Sequence, residues 1–180
     1  MKFELLSSET VFQGRAFSIQ RDHLRTPSGR TTYFDIIGHY GSVVLIPIDA
    51  DGNILFVRQY RHATKTDLLE LPAGTLDAPD EPRLDCANRE IREETGFGAR
   101  KMLELGEFFL VPGYSTELMT VYLATELFDD ARDPDEDEFL QLERIPVATA
   151  FAMAEAGKIP DAKSMAALLM ARSHLKSWFK

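Results

Sequence analysis

Glu90 and Glu94 stand one helical turn apart in the run Arg89-Glu90-Ile91-Arg92-Glu93-Glu94-Thr95-Gly96-Phe97. At about 100° per residue, a helix over residues 82–95 has Leu84, Ala87, Ile91 and Thr95 as its inward stripe, and both carboxylates fall on one shoulder of that stripe. Glu93 lies further round, on the face of Arg89 four residues earlier, a pairing that modestly stabilises helices. Glu90 and Glu94 have no cation three or four positions away; their neighbours there are Cys86, Ala87, Ile91, Glu93, Phe97, Gly98 and each other. Such a pair repels by about 0.2–0.5 kcal/mol in water, and by more where it is partly buried. A divalent cation turns this repulsion into binding, and carboxylate oxygens without thiolate or imidazole select a hard ion, Mg2+ or Mn2+. His23, His39, His62 and His174 are far from this segment in sequence, which argues against zinc. A solvated acidic surface is the competing explanation for any Glu-rich helix; the shoulder position and the Pro72-Ala73-Gly74 corner upstream weigh against it. Asp80 and Glu81, at the helix entrance, are open to two roles: complementing the helix dipole or holding metal.

The elements that must position this helix are mostly strands. Residues 17–19 alternate, Pro27-Ser28-Gly29 marks a turn, and residues 31–37 read as a further strand. Residues 43–48 and 54–57 read as buried strands joined by the hairpin loop Asp49-Ala50-Asp51-Gly52-Asn53. Residues 68–71 form a short apolar run leading into a helix-free corner at Pro72-Ala73-Gly74. Gly96 is the natural stop for the central helix. Strand patterns return at 108–111 and 118–124, an acidic loop covers 129–138, and two helices are expected over 147–156 and about 160–178. Strand-rich and helical runs are partly segregated, which favours a mixed or antiparallel sheet over a doubly wound one.

The chain has 180 residues, 44% hydrophobic and 27% charged, enough for one domain with a substantial core. Twenty Lys and Arg against 29 Asp and Glu leave a formal net charge of -9. With its basic residues scattered, such a chain repels nucleic-acid backbones and anionic membranes. No apolar stretch is long enough to span a bilayer, and Met1-Lys2-Phe3-Glu4 does not read as a signal peptide. A single cysteine, Cys86, excludes an intramolecular disulfide, and a cytoplasmic setting is the default expectation.

The helix segment resembles the box of the Nudix hydrolases: Glu81, Arg89-Glu90-Ile91, Glu93-Glu94, Gly96 and Phe97 fall in register, while Gly74 precedes Glu81 by six intervening residues rather than five. The likeness extends over most of the chain. Arg58-Gln59-Tyr60-Arg61 and Glu70-Leu71-Pro72-Ala73-Gly74 are similar to the approach to the box in ADP-ribose pyrophosphatases. Val111-Pro112-Gly113-Tyr114-Ser115-Thr116-Glu117 looks like that subfamily's Ser-Pro-Gly stretch, with Val111 in place of the usual Ser, and Gly157-Lys158-Ile159 resembles its C-terminal end.

The resemblance implies an α+β fold, a Nudix-type α/β/α sandwich with a mixed sheet. It would be preceded by a small antiparallel β region at residues 1–38, with the catalytic domain at 39–180. It implies Mg2+-dependent hydrolysis of a nucleoside diphosphate derivative, foremost ADP-ribose to AMP and ribose 5-phosphate; GDP-mannose or another nucleotide sugar is the alternative, and a non-catalytic nucleotide-binding module a third. Carried over, Glu90, Glu94 and the Ala73 carbonyl would hold metal, and Glu93, held by Arg89, would touch metal indirectly and count with Glu136 and Glu138 among the catalytic residues. In the acidic loop Glu136 would be the general base and Glu138 a further ligand. Arg61 would contact the diphosphate or ribose and Glu117 a ribose hydroxyl, with Glu70, Val111, Pro112 and Gly113 also at the substrate. Read from the residues alone, Arg61 fits a surface ion pair equally, Glu70 is as ambiguous, and most acidic loops are solvated charge runs. Phe17, Tyr33 or Phe34 would stack the base, and a homodimer sharing its N-terminal strands is implied.

Overall fold

The computed structural model describes residues 2–14, 17–132 and 139–178. The chain opens with three strands, β1 (Glu4–Gln13), β2 (Ser18–Arg25) and β3 (Thr31–Gly38), and continues through β4 (Ser42–Pro47), β5 (Asn53–Arg61), β6 (Thr66–Glu70) and β7 (Ala73–Thr75) to helix α1 (Arg83–Thr95). Strands β8 (Phe97–Phe109), β9 (Leu118–Asp129) and β10 (Leu140–Pro146) follow, then α2 (Val147–Glu155), α3 (Ala162–Ala171) and a 3-10 turn at Lys176–Trp178. The strands form three sheets, in the orders β1-β2-β3, β10-β5-β6 and β7-β4-β9-β8. Within the last, β4 and β9 run parallel and the other neighbours antiparallel, so the sheet is mixed, as expected.

Alternation along β4 divides the core. Successive side chains of a strand point to opposite faces. Val43 and Leu45 therefore join Ile91 and Ala87 of α1, whereas Val44 and Ile46 face Phe56, Phe151 of α2 and Leu168 of α3. All four β4 residues are fully buried, which is why this segment reads as a continuous apolar run. Helix α1 lies on one side of the sheets and α2 and α3 on the other, the α/β/α layering that the resemblance implies.

Helix α1 starts directly after Pro82 and stops at Gly96, whose φ of 78° is the left-handed conformation a side chain disfavours and whose N–H reaches back to the Arg92 carbonyl. Its buried face is not the one the wheel suggests. Cys86, Ala87, Glu90, Ile91, Glu94 and Thr95 are buried, while Leu84, on the first turn, is 45% exposed. The two carboxylates thus lie near the middle of the buried face, flanked by Cys86 on one side and Ile91 on the other, rather than on a shoulder.

Three further expectations are corrected. β8 begins at Phe97, not near 108: it is the edge of its sheet, and solvent-facing Lys101, Glu104 and Glu107 hide its strand pattern. The corner at Ala73-Gly74 is itself a short strand, pairing Ala73 with Val44 and Gly74 with Val43. The final helix ends at Ala171, because the chain turns at residues 172–175 to bury Leu175 in the core.

Cys86 has no exposed surface, and burial, with the Glu90 charge, pushes its thiol up to about 12. Iodoacetamide at pH 8 is expected to leave the native chain unlabelled and to modify it once urea opens the fold, as read by mass spectrometry. Rapid labelling of the native protein would contradict this packing of α1.

Candidate active site

A cavity of about 740 Å3 opens where α1, the β6–β7 corner and the start of α3 meet, within the size range of small-molecule sites. Its lining includes Arg61, Glu70, Ala73, Glu90, Glu93 and Glu117. Six of the residues picked out from sequence, drawn from four strands or strand ends and one helix, are therefore brought to one place.

The corner and the helix are fitted to each other. The backbone N–H of Ala73 donates to Glu94 Oε2 at 3.0 Å. Next to it, a Cβ on Gly74 would lie 1.8–2.3 Å from the carboxyl atoms of Glu90, so only glycine lets the strand pass with that carboxylate in its present place. Glu90 and Glu94 are each only 7% exposed.

Their electrostatics differ from the sequence expectation. Glu90 lacks a cation one turn away, but Arg89, its immediate neighbour, reaches sideways and places Nη1 2.5 Å from Glu90 Oε1. The same Nη1 lies 3.3 Å from Glu93 Oε2, which is the i,i+4 pair expected. Nη2 donates to the Thr75 carbonyl at 3.1 Å and lies 3.5 Å from Glu81 Oε1. Half-buried Arg89 loses solvation, the largest single effect, yet the charges of Glu90 and Asp77 together with the Glu90 hydrogen bond and Cys86 outweigh that loss and hold its guanidinium more firmly protonated. Considering only i±3 and i±4 neighbours missed this, because a long guanidinium can fold back along the helix.

Glu81 neither caps the helix by its side chain nor lines the cavity. It accepts the Asp77 N–H at 2.6 Å and faces Arg89, closing the loop that carries one residue more than the family spacing.

Glu117 accepts a hydrogen bond from Ser42 Oγ at 2.9 Å. The residues before it form a turn in which the Val111 carbonyl accepts from the N–H groups of Tyr114 and Ser115. The turn is tied to the end of β3, because Ile37 N–H donates to Tyr114 and Thr116 N–H donates back to Ile37. Val111, Pro112 and Gly113 are outside the cavity lining; Leu110 and Glu117 are in it.

Arg61 holds Glu70 through two bonds, Nε to Oε1 at 2.9 Å and Nη2 to Oε2 at 2.7 Å. Burial alone pushes the Glu70 carboxyl up, but Arg61 and Lys163 together bring it below its ordinary value. Lys163 and Asp161 also line the cavity and were missed. One signal was available: a lysine in the first turn of a helix sits at the unfavourable end of the dipole, so its position needs another cause.

Glu136 and Glu138 lie outside the described residues. The segment leading to them follows β9 and starts beside the end of α1, where Arg92 bonds Asp130 at 2.6 Å and Asp130 N–H donates to Gly96. Phe17, Tyr33 and Phe34 are on the N-terminal sheet and outside the cavity lining of this one chain. Among the described residues no helix is long and apolar enough to cross a membrane.

Comparisons with known proteins bear on the family and the fold. Residues 38–168 match the family model described as NUDIX domain. The chain is 37% identical over 169 residues to the ADP-ribose pyrophosphatase of Mycobacterium tuberculosis (strain ATCC 25618 / H37Rv), covering 93% of this chain and 82% of that protein. It is 31% identical over 165 residues to the ADP-ribose pyrophosphatase of Bacillus subtilis (strain 168), covering 91% and 89%. A crystal structure of an ADP compounds hydrolase superposes with a TM-score of 0.86 at 28% identity, covering 98% of this chain and 96% of that one.

The glycine cradle gives a direct test. Gly74→Ala is expected to retain the fold, since the Glu90 side chain can swing aside, but to lower Mn2+ affinity by about 10–100-fold. Electron paramagnetic resonance would read the affinity and circular dichroism the fold. Undiminished Mn2+ binding would mean that Glu90 has no part in holding the ion.

Proposed function

The chain belongs to the NUDIX family, and on that premise we propose that it hydrolyses the diphosphate of ADP-ribose to give AMP and ribose 5-phosphate. The observation that carries the reading is the pair of buried carboxylates, Glu90 and Glu94, set under a strand corner where Gly74 leaves room for Glu90, with Glu90 lining the same cavity as Arg61 and Glu94 bonded to the Ala73 N–H beside it.

The donor set fits a hard divalent ion. Glu90 and Glu94 offer carboxylate oxygens and Ala73 a backbone carbonyl, the ligand types that Mg2+ takes, with Mn2+ able to substitute. When bound, the ion supplies positive charge to the diphosphate and lowers the pKa of water. Arg89 holds Glu93 and Glu90 in place. Arg61 is assigned to the diphosphate, and Glu117, oriented by Ser42, to a ribose hydroxyl. Glu136 is assigned as the base that takes the proton from the attacking water, and Glu138 as a further metal ligand, a reading supported by the anchoring of Asp130, at the start of that segment, to the end of α1. Val111, Pro112 and Gly113 are assigned to the turn that delivers Glu117.

The division at residue 38 and a homodimer belong to the same reading. β1 to β3 form a sheet of their own, and Phe12, Phe17, Tyr33 and Phe34 are 41–62% exposed on or beside it, apolar surface that a second copy would cover. In such a dimer the partner's aromatic residues are available to stack the base. A cytoplasmic setting is supported by the lone, buried thiol.

Incubating the protein and Mg2+ with ADP-ribose, GDP-mannose, NADH and diadenosine polyphosphates is expected to show fastest turnover of ADP-ribose, with AMP as product. Glu94→Gln should cut AMP release by at least about 10–100-fold; near-normal turnover would remove that residue from the centre of the reaction. Sedimentation is expected to give a dimer, and an active monomer would refute the shared site.

A further inference from the structure

Glu70 has the address of a substrate contact but the surroundings of a support. It ends β6, lines the cavity and is 1% exposed. Both its oxygens are occupied by the Arg61 fork, and Lys163 Nζ bonds Oε2 as well. A carboxylate so enclosed offers nothing to a diphosphate except repulsion. Arg61 uses Nε and Nη2 on Glu70, and Nη1 carries no hydrogen bond among the described residues.

Lys163 explains how one carboxylate can do this without cancelling the arginine. A lone Arg–Glu pair is neutral and draws an anion weakly. A second cation on the same carboxylate shares its charge, so that less of it is spent on the arginine. Lys163 is only 8% exposed and also lies 3.0 Å from Asp161 Oδ2. Asp161 accepts the Ser164 N–H at 3.0 Å as the N-cap of α3, so its charge is partly answered by the positive end of that helix.

The same turn grips the strand by a second bond. Ser164 Oγ accepts the buried N–H of Leu71 at 2.7 Å and donates to Asp161. Glu70 and Leu71 are thus both fastened to α3, two residues before Ala73, whose N–H is held by Glu94.

We propose that Glu70 is a positioning residue that aims Arg61 at the anionic substrate, with Lys163 as the second cation on Glu70 that keeps this carboxylate from cancelling the charge of Arg61. The inference rests on the assignment of Arg61 to the diphosphate. It makes the first turn of α3 part of the active site without requiring it to touch the reacting atoms. An arginine held by two parallel bonds has little rotamer freedom left to lose when substrate arrives.

The test compares Glu70→Gln, Lys163→Met, Lys163→Arg and the double variant Glu70→Gln/Lys163→Met. KM and kcat are measured with ADP-ribose and Mg2+, and the Kd for inorganic pyrophosphate is measured by calorimetry, which needs no turnover. Glu70→Gln and Lys163→Met should each raise KM and this Kd by about tenfold, with kcat changed by less than about threefold. The double variant should lose less than the product of the two single losses, since the residues act as one unit. Lys163→Arg, which keeps the charge, should restore most of the affinity. A merely structural role would instead lower thermal stability and the active fraction while KM stays put.

Unchanged KM and Kd in folded Glu70→Gln and Lys163→Met would overturn the inference. If Glu70→Gln does not fold, Lys163→Met against Lys163→Arg decides: equal KM and Kd in those two overturns it, and a tenfold gap upholds it. A wild-type protein that turns over no substrate in the panel, yet loses pyrophosphate affinity in the variants, would sink the hydrolase reading and leave this one standing. An active wild type with unaffected variants would do the reverse.

Discussion

Two like charges kept out of water on successive turns of one helix set the terms for everything around them. Glu90 and Glu94 are each 7% exposed, in the middle of the face that α1 turns to the sheet. Ionised carboxylates in that position cost several kcal/mol each unless opposite charge and hydrogen-bond donors answer them. The neighbouring residues supply that answer. Arg89 folds back onto Glu90, the Ala73 N–H meets Glu94, and the missing side chain of Gly74 leaves Glu90 its space. Helix, corner and central strand are therefore one mechanical unit, since β7 reaches its place only by pairing with β4.

A protein of net charge -9 that acts on an anion must concentrate positive charge locally. It does so in pieces that each carry their own counterion. Arg61 is clamped by Glu70, Lys163 lies between Glu70 and Asp161, and Arg89 serves Glu90 and Glu93. Unpaired cations would be drawn to the surplus of acid elsewhere; pairing fixes where each guanidinium or ammonium stands and which of its donors remain for a ligand.

The two ends of the chain have different parts in this arrangement. The C-terminal helix is bonded to the strand that carries Glu70 and Leu71. Among the described residues, the N-terminal sheet meets the site through its last residues, where Ile37 holds the turn leading to Glu117. Most of β1 is exposed along its length, so within one chain that sheet has little to rest on.

Local pattern was enough for the elements whose burial is simple. The continuous apolar run of β4, the alternation in the first forty residues, the Gly96 stop and the box spacing all follow from side-chain type and order, so the mixed sheet, the central helix and its carboxylates were legible. Where burial is one-sided the pattern misled: the edge strand β8 reads as polar, and exposed Leu84 reads as core. Contacts between residues far apart in the chain had no local signature at all. The Ser42–Glu117 bond, the cradle of Gly74 around Glu90, and the grip of Lys163 and Ser164 on Glu70 and Leu71 join segments up to 93 residues apart. Which groups could bind metal was written in residue types one turn apart; which cation accompanies them, and what holds Arg61 in position, was decided only when folding placed distant side chains within a few ångströms.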